Sequence, residues 1–374
     1  MRMRTNKIYM AAPHLFGNEQ KYIEEAIKSN WIAPLGPFVN RLENMVSKYI
    51  GGYDCVAVAT GTSALHLAVM ELGITRGDIV FCSDMTFAAS INPAIYEGAT
   101  PVFIDSEDTT YNMSPEALKK AFKKYTPKAV ILPHVYGTPA DMEIIEICQN
   151  YSCPIIEDSA EALGATINGK YVGTIGNYGV FSFNGNKIIT GSSGGMVVCH
   201  SEEDAQHILF KATQAKEKCD IYLHKELGYN YRMSNINAAI LCGQMENIDT
   251  KIVLKKIIYD TYRSVLDGWL CMKMLPVPSD RTSNYWLSCL ITDDASGKTS
   301  DKIIKKLSDA NIESRHIWYP LHKEPLFSGS DIISVGKEHA STDFFNRGVC
   351  LPSDTRMTCE EQCEVIDIIM NTTV

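Results

Sequence analysis

The chain has 374 residues, 45% hydrophobic and 21% charged, which is enough apolar material for a large core and a smaller companion unit. A formal net charge of −9 with no basic patch argues against nucleic-acid binding, and no apolar run reaches the roughly 18–20 residues that span a bilayer. The N-terminus lacks a continuous apolar signal core and the 12 cysteines are scattered without CxxC pairs, so we expect a cytoplasmic protein with reduced thiols, no disulfide framework and no metal.

Short apolar runs alternate with helical patterns from residue 53 to about 200. Cys55 to Ala59 reads as a strand, and Gly61-Thr62-Ser63 opens a helix that ends at Gly73. Asp78 to Cys82 is a second strand, followed by a helix over Ala88 to Tyr96. Thr100 to Asp105 is a third, and Ser114 caps a helix over Pro115 to Lys124. Ala129 to His134, the helix Met142 to Asn150 and Pro154 to Asp158 complete the alternation. Such uniformly apolar strands predict a mostly parallel sheet with helices on both faces, and ligands at the strands' carboxyl ends.

Asn168-Gly169 predicts a tight hairpin, and residues 178–183 and 195–199 predict further strands around a loop rich in Gly, Ser and Asn. Residues 204–265 read as helical. A new mixed pattern follows: WLSCLITD as a strand, SDKIIKKLSDA as a helix, IESRHIW as a strand, and a last helix from about Cys359. The expected division is a large α/β domain over 1–250 and a small α+β domain over 251–374, with the first 30 residues free to pack on either.

The chemistry concentrates on Asp158 and Lys187. Taken alone, an acid at a strand end is a helix cap and a loop lysine is a solvated charge. Together, at two strand ends of one parallel sheet, they match what pyridoxal phosphate (PLP) requires. The cofactor needs an amine to bind its aldehyde and a carboxylate to keep its ring nitrogen protonated. Thr62 and Ser63 at a helix start, with the Ser182 hydroxyl, offer donors for its phosphate. Phe87, after the second strand, offers a ring to stack on it. Gly164 to Lys170 imitates a P-loop, but Tyr171 stands where a magnesium-binding hydroxyl belongs and a hairpin replaces the helix, so ATP binding is not expected there.

Six segments then carry a resemblance: APLGPFVNRLE (33–43), GTSALHLAV (61–69), IEDSAEALGA (156–165), GVFSFNGNKIIT (179–190), GYNYRMSNINAAI (228–240) and VCLPSDTRMT (349–358). In this order, across nearly the whole chain, they resemble the DegT-like sugar aminotransferases of PLP fold type I. The resemblance implies that Lys187 forms the Schiff base, Asp158 partners the pyridine nitrogen, Thr62, Ser63 and Ser182 bind phosphate, and Phe87 stacks. It implies that Asn230 reaches the cofactor phosphate of a neighbouring subunit, hence a homodimer with shared active sites. Glu161 falls at a position beside cofactor or substrate, without a proton-transfer role assigned by the resemblance.

FSFNGNKIIT, TQAKEKC (213–219) and SRHIWYPLH (314–322) are similar to the enzymes that make UDP-N-acetylbacillosamine precursors. This implies transfer of an amino group from L-glutamate to a UDP-linked 4-keto-6-deoxy sugar, with pyridoxamine phosphate as the intermediate cofactor form. Arg315, Trp318 and His322 are then candidate contacts to the sugar nucleotide. Perosamine- and viosamine-type enzymes, acting on GDP- or dTDP-linked sugars, a 3-keto substrate, another fold-type-I lyase or desulfurase, and a non-enzymatic regulator on the same fold are the alternatives.

Overall fold

The structure, a computed structural model, describes residues 6–373. Its strands are β1 (Asp54–Val58), β2 (Ile79–Ser83), β3 (Thr100–Ile104), β4 (Ala129–Pro133), β5 (Ile155–Asp158), β6 (Thr166–Ile167), β7 (Lys170–Tyr171), β8 (Tyr178–Ser182), β9 (Gly195–Cys199), β10 (Lys273–Met274), β11 (Arg281–Thr282), β12 (Ser288–Ile291), β13 (Arg315–His316), β14 (Asp331–Ile333) and β15 (Gly348–Leu351). The helices are α1 (Glu19–Lys28), α2 (Pro37–Ile50), α3 (Gly61–Glu71), α4 (Asn92–Tyr96), α5 (Pro115–Phe122), α6 (Glu143–Asn150), α7 (Glu202–Ala212), α8 (Asn235–Met245), α9 (Ile248–Leu266), α10 (Lys298–Asp309), α11 (Ala340–Arg347) and α12 (Cys359–Thr373).

Among the described residues the main sheet has 8 strands in the order β1-β9-β8-β5-β4-β2-β3-β14. Pairing is parallel from β8 through to β14, while β9 runs antiparallel to both β1 and β8. The fold is therefore α/β with a mostly parallel central sheet. Its strands read as unbroken apolar runs because both faces are covered. Val80, Cys82, Ala129 and Ile131 pack with α3 on one face, and Phe81, Val130 and Leu132 pack with α5 and α6 on the other. This alternation is the two-residue period of a strand.

Local chemistry sets several boundaries. Ser114 caps α5 by accepting the Ala117 N–H at 3.2 Å, with Pro115 in the first turn where its missing donor is harmless. Asn168 and Gly169 carry φ of 50° and 77°, the left-handed pair that a tight hairpin between β6 and β7 needs. The helix expected over 88–96 divides into a 3₁₀ turn (Ala88–Ser90) and α4, which carries Pro93 in its first turn.

The helical run expected over 204–265 is also interrupted. Residues 213–234 are not helical. Tyr231 instead donates to the Ala212 carbonyl at 3.0 Å and accepts from the Ala59 N–H at 2.7 Å. Arg232 pins this segment to Glu43 at 2.6 Å and to the Ala57 carbonyl at 2.9 Å. Tertiary hydrogen bonds at the end of β1 thus outweigh the local helical pattern.

A second sheet, β10-β12-β15-β13, is wholly antiparallel and packs against α9, α10 and α12 through Tyr262, Leu290, Ile303, Leu307, Val349 and Val365. The strand expected over IESRHIW reduces to β13. We propose that the two units divide near residue 250, as 1–250 and 251–374, because this second sheet carries its own apolar core. Two segments cross that division. Ile8 bridges to Ile312, and β14 returns to extend the main sheet beside β3. α1 goes the other way, with Tyr22 and Ala26 packed among Leu241 and Cys242 of α8. Among the described residues no helix is long and apolar enough to cross a membrane.

Candidate active site

β1, β2, β4, β5 and β8 all end at one edge of the main sheet, and a cavity of about 420 Å³ opens there. It is lined by Thr62, Phe87, Asp158, Glu161, Ser182, Lys187, Arg315 and Trp318 among the expected residues. Residues far apart in sequence, such as Ser90 and Asp158, thus meet because strand ends of a parallel sheet share one edge.

The floor is the start of α3. Thr60 is its N-cap: its hydroxyl accepts the Ser63 N–H at 3.0 Å and pairs with the Ser63 hydroxyl at 2.6 Å. The first N–H groups of a helix have no partner within it, so Gly61 and Thr62 present donors and the positive end of the helix dipole to the cavity. Ser182 lies against this turn; a Cβ on Gly61 would come within 2.9 Å of the Ser182 Cβ. Gly195 is demanded by a similar approach, since a Cβ there would stand 2.3 Å from the Thr60 carbonyl oxygen. Ser63 does not line the cavity, because the cap engages its side chain.

Two adjacent acids end β5 and differ in what they face. Glu157 is fully buried and saturated, accepting the N–H groups of Gly173, Ile175 and Gly176 and the His134 ring at 3.0 Å. Burial raises its pKa, but the His134 hydrogen bond and the backbone donors outweigh that and hold it below the usual value. The Ala140 N–H donates to His134 Nδ1 at 3.0 Å, so the ring proton sits on Nε2 and is directed to Glu157. Asp158 points the other way, into the cavity. It accepts the Ser90 hydroxyl at 2.6 Å and the Ala160 N–H at 3.2 Å.

Lys187 follows β8, and its amine lies 4.0 Å from the centre of the Trp286 ring and 3.7 Å from Glu161 Oε1. Burial drives its pKa below the ordinary lysine value, against the pull of Glu161 and Asp158. A lysine so placed has a larger neutral, nucleophilic fraction than a solvated one. Phe87 is 55% exposed, with its ring 5.2 Å from that of Trp318. A large aromatic ring left open beside a cavity is available to stack on a planar ligand.

This set fits PLP. It combines a buried amine for the aldehyde, a carboxylate in the same cavity, helix-start donors for a phosphate and an open aromatic face.

Two further expected residues lie elsewhere. His322 is turned away from the cavity: its ring Nδ1 and backbone N–H meet the buried Asp84 carboxylate at 2.7 and 2.8 Å. Asn230 is exposed and outside the cavity lining. Conversely, Trp286, Ser90 and Tyr136 were not legible. Trp286 is held by its indole N–H on the Asn186 carbonyl at 2.7 Å and by Lys255, whose amine reaches the Trp286 carbonyl at 2.9 Å. The one sequence sign for Ser90 was its place after β2, at the ligand-bearing edge.

A family model described as the DegT/DnrJ/EryC1/StrS aminotransferase family matches residues 14–370. EpsN of Bacillus subtilis (strain 168), named as a pyridoxal phosphate-dependent aminotransferase, is 44% identical over 98% of this chain and 95% of its own. GDP-perosamine synthase of Vibrio cholerae is 36% identical over 96% of this chain and 97% of its own. Among solved structures, Spr1654 of Streptococcus pneumoniae, named as a sugar aminotransferase and solved in its PLP form, superposes with a TM-score of 0.92 over 98% of this chain and 99% of its own. Its identity is 24%, so it speaks to the fold. These matches displace the desulfurase and lyase alternatives, and the chain belongs to the DegT/DnrJ/EryC1/StrS family of PLP-dependent sugar aminotransferases.

Proposed function

We propose that this enzyme moves the amino group of L-glutamate to carbon 4 of a UDP-linked 4-keto-6-deoxy sugar, in the cytoplasm, as a homodimer. The observation that carries the reading is the buried Lys187 amine in one cavity with Asp158 and the start of α3.

When bound, PLP supplies the aldehyde that exchanges amines and a ring that accepts electrons from the substrate carbon. Lys187 would hold it, and its amine would serve as general base and acid. Asp158 keeps the ring nitrogen protonated, with Ser90 and Ala160 fixing the carboxylate's orientation. Thr62, Ser182 and the α3 N–H groups take the phosphate, and Phe87 covers the ring. Arg315 and Trp318, at the rim, meet the sugar nucleotide.

Asn230 is offered to the cofactor phosphate of a second copy. The exposed apolar side chains Trp31, Ile32, Leu35, Ile221, Tyr222 and Leu227 are the ones such an interface with that copy would cover. A second reading, a GDP-linked keto sugar, draws support from the GDP-perosamine synthase of Escherichia coli O157:H7, also 36% identical.

The test is mass spectrometry of mixtures with L-glutamate and UDP-, GDP- or dTDP-linked 4-keto-6-deoxy sugars. The amine and 2-oxoglutarate form with the UDP sugar, in a two-stage ping-pong pattern, and Lys187→Ala forms neither. Faster conversion of the GDP sugar selects the second reading. No amine from any of them overturns the substrate class.

A further inference from the structure

Lys187 has a second acid at its side whose position is fixed from two directions. Glu161 Oε1 lies 3.7 Å from the Lys187 amine, with the two side chains 11% and 12% exposed. The other oxygen, Oε2, accepts the Tyr136 N–H at 2.8 Å. Tyr136 makes that donation from a left-handed backbone, φ 54° and ψ 26°, which strains a bulky L residue. Its phenol oxygen accepts the Trp318 N–H at 2.7 Å, which locks the turn. Behind it, the Asn284 amide donates to the Glu161 carbonyl at 2.9 Å and holds the main chain. Glu157, four residues earlier, has both oxygens saturated. Glu161 has one oxygen tied and one turned to the amine.

The electrostatics agree with the geometry. Burial pushes the Glu161 pKa up, opposed by Lys187 and the Tyr136 N–H and assisted by Asp158. Burial pushes Lys187 down. An acid and a base are thereby drawn towards each other from opposite ends of the scale. The groups facing Glu161 are Lys187 from the loop after β8, Asp158 from β5, and the Tyr136 phenol and the Cys289 thiol behind. The Trp318 indole N–H is buried without a hydrogen bond, yet lies near enough to oppose the rise in Glu161.

We propose that Glu161 is the proton-exchange partner of Lys187. Once the Lys187 amine closes that 3.7 Å gap to hydrogen-bond distance, an N–H bond of the ammonium breaks and an O–H bond forms on Glu161 Oε1, leaving a neutral amine and a neutral acid. The reverse transfer returns the proton, and no electron is gained or lost. The inference rests on the PLP reading only in making Lys187 the group that must shed and regain a proton.

Glu161→Gln tests it, because the amide keeps the size and still accepts from Tyr136. In cofactor-stripped protein, reductive methylation of Lys187 is followed against pH by peptide mass. In the loaded enzyme the pH midpoint of the visible band is read. Loss of the acid lowers both midpoints by roughly 1–3 pH units. An infrared band of a neutral carboxylic acid, present in the wild type above pH 7, disappears in the variant. Should Glu161→Gln not fold, Glu161→Asp, which keeps the charge but withdraws it, gives a smaller shift in the same direction. Unmoved midpoints, or no neutral-acid band in the wild type, overturn the proton exchange while leaving a visible band intact. A wild type without that band overturns the PLP reading instead, and the methylation midpoint still decides the fate of Glu161.

Discussion

Asp84 and Asp158 are both buried aspartates at carboxyl ends of strands in the main sheet, yet they do different work. Asp84 is saturated. It takes the His322 N–H at 2.8 Å, the His322 ring at 2.7 Å and the Ser341 hydroxyl at 2.6 Å. Its own carbonyl accepts the Leu321 N–H at 3.0 Å. It clamps the segment that carries Trp318 onto the main sheet. Asp158 takes one hydroxyl and one N–H, and faces the cavity with acceptor capacity to spare. An acid with filled acceptors holds a fold together, and an acid held in place but left open is ready for a ligand.

The comparison can be broken by substitution. Asp158→Asn removes the charge and keeps the shape, so the single-turnover rate with L-glutamate falls by roughly 10²–10⁴ fold while the melting temperature barely moves. An unchanged rate would reduce Asp158 to the same status as Asp84. Asp84→Asn should do the reverse. A buried network loses its charged acceptor, stability falls by about 1–3 kcal/mol in denaturant unfolding, and the amine-transfer rate of the folded fraction changes less than tenfold. A large rate loss at full stability would place Asp84 in the chemistry.

A subtler test concerns Lys255, which supports Trp286 from behind. Burial lowers its pKa from 10.5 to about 7. Between those values the unfolded chain holds a proton that the folded chain has released, so folding stability rises with pH across that window. The contribution is at most about 1.4 kcal/mol per pH unit. Lys255→Met removes that slope; a variant whose stability tracks the wild type from pH 7 to 10 would show that the folded lysine keeps its proton.

Much of this was legible along the chain. Runs such as AVILP and PIIED are too uniformly apolar for a half-exposed sheet, so parallel strands under two helical layers followed from their composition. The Asn168-Gly169 turn and the Ser114 cap followed from single residues whose backbone preferences are strong. Lys187 and Asp158 were legible because PLP chemistry requires two rare groups at strand ends.

What the sequence determined by itself was therefore the sheet, its ligand-bearing edge, the cofactor and the family, all carried by local pattern or by motif order. Only the tertiary structure decided that 213–234 leaves the helical path, that β14 rejoins the main sheet, that His322 is captured by Asp84, and that Trp286, Tyr136 and Glu161 surround the Lys187 amine. Each of these depends on a hydrogen bond or a burial partner more than 20 residues away, and hydrophobic periodicity reports which face of an element is buried but not what buries it.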